Sequence, residues 1–224
     1  VNDVTYWSAL LIGLAGGLHC FGMCGGIASA LRLAAPAGTS HWPYTLSYNA
    51  GRLFSYTLAG ALTGGVGQVI KQFVPVAGPI LALISGLLLL AMAAYIGNWW
   101  HGLTYLERAG NRIWQHIQPL SRRFIPFNRP LSAVPYGIIW GWLPCGLVYS
   151  VLSWSLASTS AADGALLMLC FGLGTLPALL ATAVGAHWLV NAIKHPVVRQ
   201  ATAVLLTIFA VLLLARAARY YSGG

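Results

Sequence analysis

Residues 18–26 read LHCFGMCGG, which puts His19, Cys20, Met23 and Cys24 within one short piece of an otherwise apolar segment. Thiolates, a thioether and an imidazole are the donors that hold Cu(I) or zinc, and a pair of thiols is also all that disulfide exchange needs. Cys20 and Cys24 are four apart and share one face if a helix continues there, while His19 and Met23 share the adjacent stripe. Gly22, Gly25 and Gly26 weaken an ideal helix, so all four side chains can converge. A third thiol stands in a matching place. Gly141-Trp142-Leu143-Pro144-Cys145 aligns with Gly16-Gly17-Leu18-His19-Cys20, with Gly, Leu and Cys in register. Cys170 has no polar company and reads as a small core residue.

These residue types weigh the chemistry. Cu(I) accepts two to four soft ligands, and Cys20, Cys24 and Cys145 with Met23 or His19 supply that set. Zinc prefers Cys and His without Met. Nickel or cobalt would suit more imidazole and carboxylate. The three acidic residues, Asp3, Glu107 and Asp163, fall outside the long apolar runs, which argues against a carboxylate ion path or a buried carboxylate for proton coupling. The competing chemistry is thiol–disulfide electron transfer with Cys20 and Cys145 as the reactive pair, which calls for neither Met23 nor Cys24. Packing alone is the third reading; Met23 taken singly suits gap filling.

The elements that must position these groups are membrane helices. Of 224 residues, 58% are hydrophobic and 7% charged, against roughly 25% charged in a soluble domain. Six runs are long enough to cross a bilayer, at about 7–31, 49–70, 79–100, 134–158, 164–190 and 197–216. The opening residues carry no basic stretch and no evident cleavage site, so the first run is expected to be a retained span rather than a signal peptide. Arg32, Arg52, Arg108, Arg112, Arg122, Arg123, Arg129, Lys194 and Arg199 fall on one side, against Lys71, Arg216 and Arg219 on the other. The positive-inside rule makes the first side cytoplasmic and sends both termini outward, into the periplasm of a Gram-negative cell. The formal charge of +9 then serves topology and lipid headgroups, a membrane-lipid partnership rather than a nucleic-acid one.

The long connection, 101–133, has Leu103, Leu106, Ile113, Trp114, Ile117 and Leu120 at helical spacing against Arg108, Arg112 and Gln115, which predicts an amphipathic helix on the cytoplasmic face. His101 and His116 there read as interfacial side chains, or as a relay passing metal inward. Gly60 and Gly64 form a GxxxG pair suited to close helix packing. Pro177, preceded by Gly172 and Gly174, predicts a kink, and Arg52 is expected to snorkel to the interface or to pair with an anionic group. Three spans on each side of the long loop make two halves of opposite orientation, and such inverted repeats place their working site near the midplane on broken helices. The expected organisation is one transmembrane domain over 1–224, with a first three-helix repeat in 1–100, the loop in 101–133 and a second repeat in 134–224.

GLAGGLHCFGMCGG, NAGRLFSY, WGWLPCGLVYS and FGLGTLP together resemble the bacterial TauE/SafE-like membrane proteins, also called UreH-like transmembrane domains, which are distant relatives of the DsbD/CcdA thiol-redox transporters. The resemblance implies an all-α integral membrane fold of six helices in two inverted three-helix repeats, of the DsbD/CcdA-like, LysE-type superfamily. It also implies an association with heavy-metal handling and cytochrome oxidase assembly; no residue argues for sulfite. In DsbD/CcdA proteins a cysteine after a proline in the first span of each half forms a reversible disulfide reduced by thioredoxin. Cys145 matches through Leu143-Pro144-Cys145. Cys20 matches by position, with His19 in place of the proline and Cys24 additional.

The expected function is therefore a small bacterial inner-membrane transporter or carrier of Cu(I), holding it at His19, Cys20, Met23, Cys24 and Cys145 and serving metalloenzyme assembly. The two halves would rock about the site. No nucleotide-binding motif or organic cofactor is indicated, so energy would come from a gradient, an exchange partner or a metal chaperone. The alternatives are a Cys20–Cys145 electron carrier working with a thioredoxin-like partner, and a non-transporting assembly factor that docks through Arg122 and Arg123.

Overall fold

A computed structural model describes residues 6–17, 39–73, 77–102, 127, 129–143, 145–158, 160–183 and 195–222, with Pro36 and single positions within 104–119. Every regular element among these residues is helical. The helices are α1 (Tyr6–Gly17), α2 (Trp42–Phe73), α3 (Ala77–Gly97), a 3-10 turn at Pro130–Ser132, α4 (Ala133–Gly141), α5 (Gly146–Leu156), α6 (Ala161–Ala183) and α7 (Pro196–Ser222).

Local chemistry sets several of these ends. Pro43 and Pro196 lie in the first turns of α2 and α7, where a missing N–H costs no helical bond. At the start of α6 the Asp163 N–H donates to Ser160 Oγ at 3.0 Å, and the same hydroxyl donates to the Asp163 carboxylate at 2.8 Å, a reciprocal cap. That cap starts the helix three residues earlier than the hydrophobic run predicts, so Asp163, expected outside the spans, lies in the first turn of α6. The end of α3 is closed by Asn98 at φ 64°, with Trp99 N–H returning to the Ala94 carbonyl at 2.8 Å.

Three helices, over Trp42–Phe73, Ala161–Ala181 and Pro196–Ala215, are long and apolar enough to cross a membrane among the described residues. A fourth span is counted when α4 and α5 are taken as one. Tyr6–Gly17 and Leu83–Gly97 are shorter apolar helices. The second predicted span begins at Trp42 rather than near 49, and Pro177 lies within the continuous helix α6. The fourth predicted span, 134–158, is not one helix: α4 and α5 meet at 77° across the break before Cys145. Part of the first predicted span, beyond Gly17, lies outside the described residues. In the long connection Arg108, Arg112, Gln115 and His116 are helical and exposed; the apolar positions expected to oppose them lie outside.

In lipid the hydrophobic effect does not drive helices together, so close backbone contact and interhelical hydrogen bonds must. α2 is the central element and packs along α6, α4 and α5, while α3 runs along α7 and touches α5. The α2–α6 seam closes at Gly60 and Gly164, where a Cβ on either would collide with the other's carbonyl oxygen. This is the role expected of the GxxxG pair. Gly13 of α1 and Gly174 of α6 make a second crossing of the same kind. Ser155 Oγ donates to the Gly60 carbonyl at 3.0 Å, Ser55 Oγ to the Ile138 carbonyl at 2.9 Å, and Lys71 reaches the Ala157 and Ser158 carbonyls at the end of α5. The opposite face of α2, with Phe54, Leu58, Leu62, Val66, Val69 and Phe73 exposed, is a lipid-facing stripe.

Gly60→Val is expected to lower stability by about 1–3 kcal/mol, the usual cost of overpacking, read as a fall in the thermal midpoint of the protein in detergent. Gly65→Ala, whose Cβ would stand 3.6 Å from that of Ala161, should leave the midpoint nearly unchanged.

Candidate functional site

Cys145 is the residue preceding α5, with extended backbone at φ −115° and ψ 143°. Its N–H donates to the Leu143 carbonyl at 2.9 Å and its carbonyl accepts from the Tyr149 N–H at 3.2 Å. The turn before it follows from the Gly141-Trp142-Leu143-Pro144 stretch: glycine lets α4 stop against Ser55 of α2, and a following proline disfavours helical backbone at Leu143. The thiol is 7% exposed, within the apolar cluster that includes Tyr56, Leu147, Val148 and Phe171. It stands at a helix N-terminus, where unpaired backbone N–H groups and the helix dipole favour negative charge.

The other predicted ligands, His19, Cys20, Met23 and Cys24, lie outside the described residues. α1 is described up to the residue before that stretch. A Cβ on Gly16 would strike the Leu147 side chain, in the first turn after Cys145, and one on Gly17 would stand 2.7 Å from Ala178 Cβ on α6. The end of α1 is thus held between the start of α5 and the second half of α6. Among the described residues no group of three or more His, Cys, Asp or Glu side chains is placed to hold a metal ion. Cys170 packs, half-buried, against the main core, as expected of it. His101 and His116 make local contacts, His101 Nε2 lying 2.8 Å from Asn98 Oδ1 and His116 Nδ1 2.9 Å from the Arg112 carbonyl.

Arg52 corrects the expectation that it snorkels. It is 3% exposed, on the inner face of α2. Its Nε donates to Tyr56 Oη at 3.1 Å and its Nη2 to Thr175 Oγ1 at 2.9 Å. The guanidinium carbon lies 5.0 Å from the centre of the Tyr56 ring. Thr175 in turn donates to the Gly172 carbonyl at 2.7 Å. An arginine near the centre of a membrane helix costs about 2.5–3.5 kcal/mol or more, and such residues face the bundle interior at functional positions.

The inner face of α2 continues this polarity. Thr45, Asn49, Arg52 and Tyr56 recur at intervals of four, three and four, and all four are buried. Asn49 Nδ2 donates to the Thr45 carbonyl at 2.9 Å, and its Oδ1 is buried with no hydrogen-bond partner among the described residues. This polar stripe is the part of the site that reading by charge alone missed. The signal was present as helical spacing of polar residues within an apolar run, and Thr175 lies inside the FGLGTLP stretch that helps carry the family resemblance.

Thr175→Val removes an acceptor from a buried cation and is expected to cost about 1.5–3 kcal/mol, the range for hydrogen bonds to charged groups. Thr175→Ser should restore most of it. Equilibrium unfolding in detergent measures both.

Residues 8–212 match the family model described as the cytochrome C biogenesis protein transmembrane region, DsbD_2. No curated protein and no solved structure gives a significant match. An all-helical bundle with three or four candidate membrane spans agrees with that description, and the match runs over nearly all of the chain, from within α1 to within α7. The chain is a multi-pass membrane protein and belongs to the DsbD-like family of cytochrome C biogenesis transmembrane regions.

Proposed function

We propose that the protein is a transporter or carrier of Cu(I) in the bacterial inner membrane, of the TauE/SafE-like or UreH-like branch, with His19, Cys20, Met23, Cys24 and Cys145 as the soft-donor set. The observation that carries this reading is the contact of α1 with the start of α5, where Gly16 abuts Leu147. Cys20 follows Gly17 by three residues, a chain reach of at most about 10 Å. In this reading thiols from two separate parts of the sequence meet at one interior place, and the neighbouring Met23, Cys24 and His19 supply the further soft ligands that Cu(I) accepts.

In this reading the chain has six spans in two inverted repeats, 1–100 and 134–224, joined by the cytoplasmic loop 101–133, with both ends on the periplasmic side. The copper ion is cargo. It passes from a metal chaperone to the sulfur site near the midplane and leaves when the two three-helix halves rock to expose the site to the other face. Delivery to cytochrome oxidase or another metalloenzyme under assembly is the purpose such an exit would serve.

Family membership favours a second reading, a thiol–disulfide electron carrier. A thioredoxin-like dithiol would reduce a Cys20–Cys145 disulfide, becoming a disulfide itself. The reduced pair would then pass two electrons and two protons to an oxidised partner on the opposite face. The burial of Cys145 at a helix N-terminus suits this chemistry as well.

Anaerobically purified protein should bind close to one Cu(I) per chain in competition with a chromophoric chelator, and Cys24→Ser should weaken that binding by at least about tenfold, one coordinating sulfur being lost. Unchanged affinity in Cys24→Ser would count against the copper reading. The electron-carrier reading instead expects a Cys20–Cys145 disulfide that reduced thioredoxin opens; thiol trapping that never captures this crosslink would remove it.

A further inference from the structure

We propose that the inner face of α2 is a binding track for water, reaching from the Trp42 end of the helix to the Arg52 guanidinium. His41, Thr45, Asn49, Arg52 and Tyr56 follow one another at intervals of four, four, three and four, the spacing of a single helical face. From the first residue of α2 to Arg52 is about 15 Å along the axis. Tyr44 and Tyr48 lie to one side of this stripe and belong, with Phe127, Tyr136 and Trp140, to an aromatic cluster shared with α4. The helix thus sorts its polar and its aromatic residues onto neighbouring sides, and both sides are buried.

Asn49 sets the chemistry of the track. Its Nδ2 donates to the Thr45 carbonyl at 2.9 Å. A carbonyl only accepts, so this contact fixes which atom of the amide is the oxygen. Oδ1 is then an acceptor, buried with no hydrogen-bond partner among the described residues. His41 Nε2, in the turn before α2, is buried without such a partner as well. Between them the Thr45 hydroxyl donates to the His41 carbonyl at 3.1 Å, which leaves its oxygen to accept. Two acceptors and a ring nitrogen that takes either role by tautomer call for a ligand that both donates and accepts, and water does. A metal cation would be repelled by the guanidinium, and an anion by the lone pairs of Asn49 and Thr45. An orphaned amide oxygen is costly in a dry membrane interior, and an arginine there is eased by a water-filled space. Water bound along this face of α2 meets both needs, whichever sulfur chemistry the protein performs.

The test is hydroxyl-radical footprinting of the full chain in lipid nanodiscs, with the radicals generated from water by a brief X-ray pulse. Two tyrosines of nearly equal burial make the comparison, Tyr56 at 5% exposed and Tyr136 at 4%. Tyr56 stands at the inner end of the track, where its Oη accepts from Arg52 Nε. Tyr136 is packed against the rings of Phe127 and Trp140. In the wild type Tyr56 should be oxidised several-fold faster than Tyr136, and Asn49→Leu should bring it down to the Tyr136 rate. Thr45→Val interrupts the track one turn earlier and should have the same effect, which keeps the test open if Asn49→Leu does not fold. Equal rates at the two tyrosines in the wild type overturn the proposal. A Tyr56 that stays fast in the folded variants means that water arrives by another way, and that result overturns the track along α2 as well.

Discussion

A guanidinium sealed inside an apolar bundle obliges the helices around it to supply polar atoms at fixed positions. Arg52 lies on the inner face of α2, and what it takes from its surroundings sets the inner face of two helices: Tyr56 one turn along α2 and Thr175 across on α6. Thr175 is tied to the backbone of its own helix through the Gly172 carbonyl, so the bond across the seam is rigid at both ends. In a membrane such a residue is too costly to keep for packing alone. Those two helices also receive the end of α1, at Ala178 on α6, and the end of α4, at Ser55 on α2.

The second condition is backbone proximity. Lipid tails compete with leucine and phenylalanine for every apolar surface, so the seams are made where no Cβ intervenes. Gly60 meets Gly164 and Gly13 meets Gly174. Each crossing involves α6, which makes that helix the common wall of α1 and α2. The third device is the turn before Cys145. By ending α4 and redirecting the chain through 77°, it puts a thiol at the start of a new helix, inside the bundle rather than along the side of a continuous span. The freed backbone groups are taken up locally, by Leu143 and Tyr149 around Cys145 and by the contacts of α2 with α4.

Much of this was legible before any coordinates. Apolar runs longer than any soluble helix needs, with most of the charge between them, specify a membrane protein whatever the packing, because the bilayer accepts few other solutions. The break at Gly141-Trp142-Leu143-Pro144 has a local cause, since glycine and proline act on their own backbone, although the apolar run reads straight through it. Gly60 and Gly64 could be read as a packing seam from spacing alone, though not which helix they meet. The start of α6 was misplaced by three residues because hydrophobicity does not register the Ser160–Asp163 cap, which is a hydrogen-bond feature.

The direction of Arg52 was the larger difference. From sequence, a basic residue close to the end of an apolar run snorkels, because a long side chain ordinarily reaches water at small cost. Tertiary structure decided otherwise by extending α2 back to Trp42 and setting Thr175 opposite, which neither run predicts on its own. Residue types and their periodicity thus determined the solvent of this protein, its helical class and the chemistry its sulfur groups can perform, since these depend on composition and on near neighbours in the chain. Which helix faces which, and that Arg52 turns inward to Thr175 rather than out to the interface, depend on contacts between residues far apart in the chain, such as Gly60 with Gly164 and Arg52 with Thr175. Only the folded arrangement holds that information.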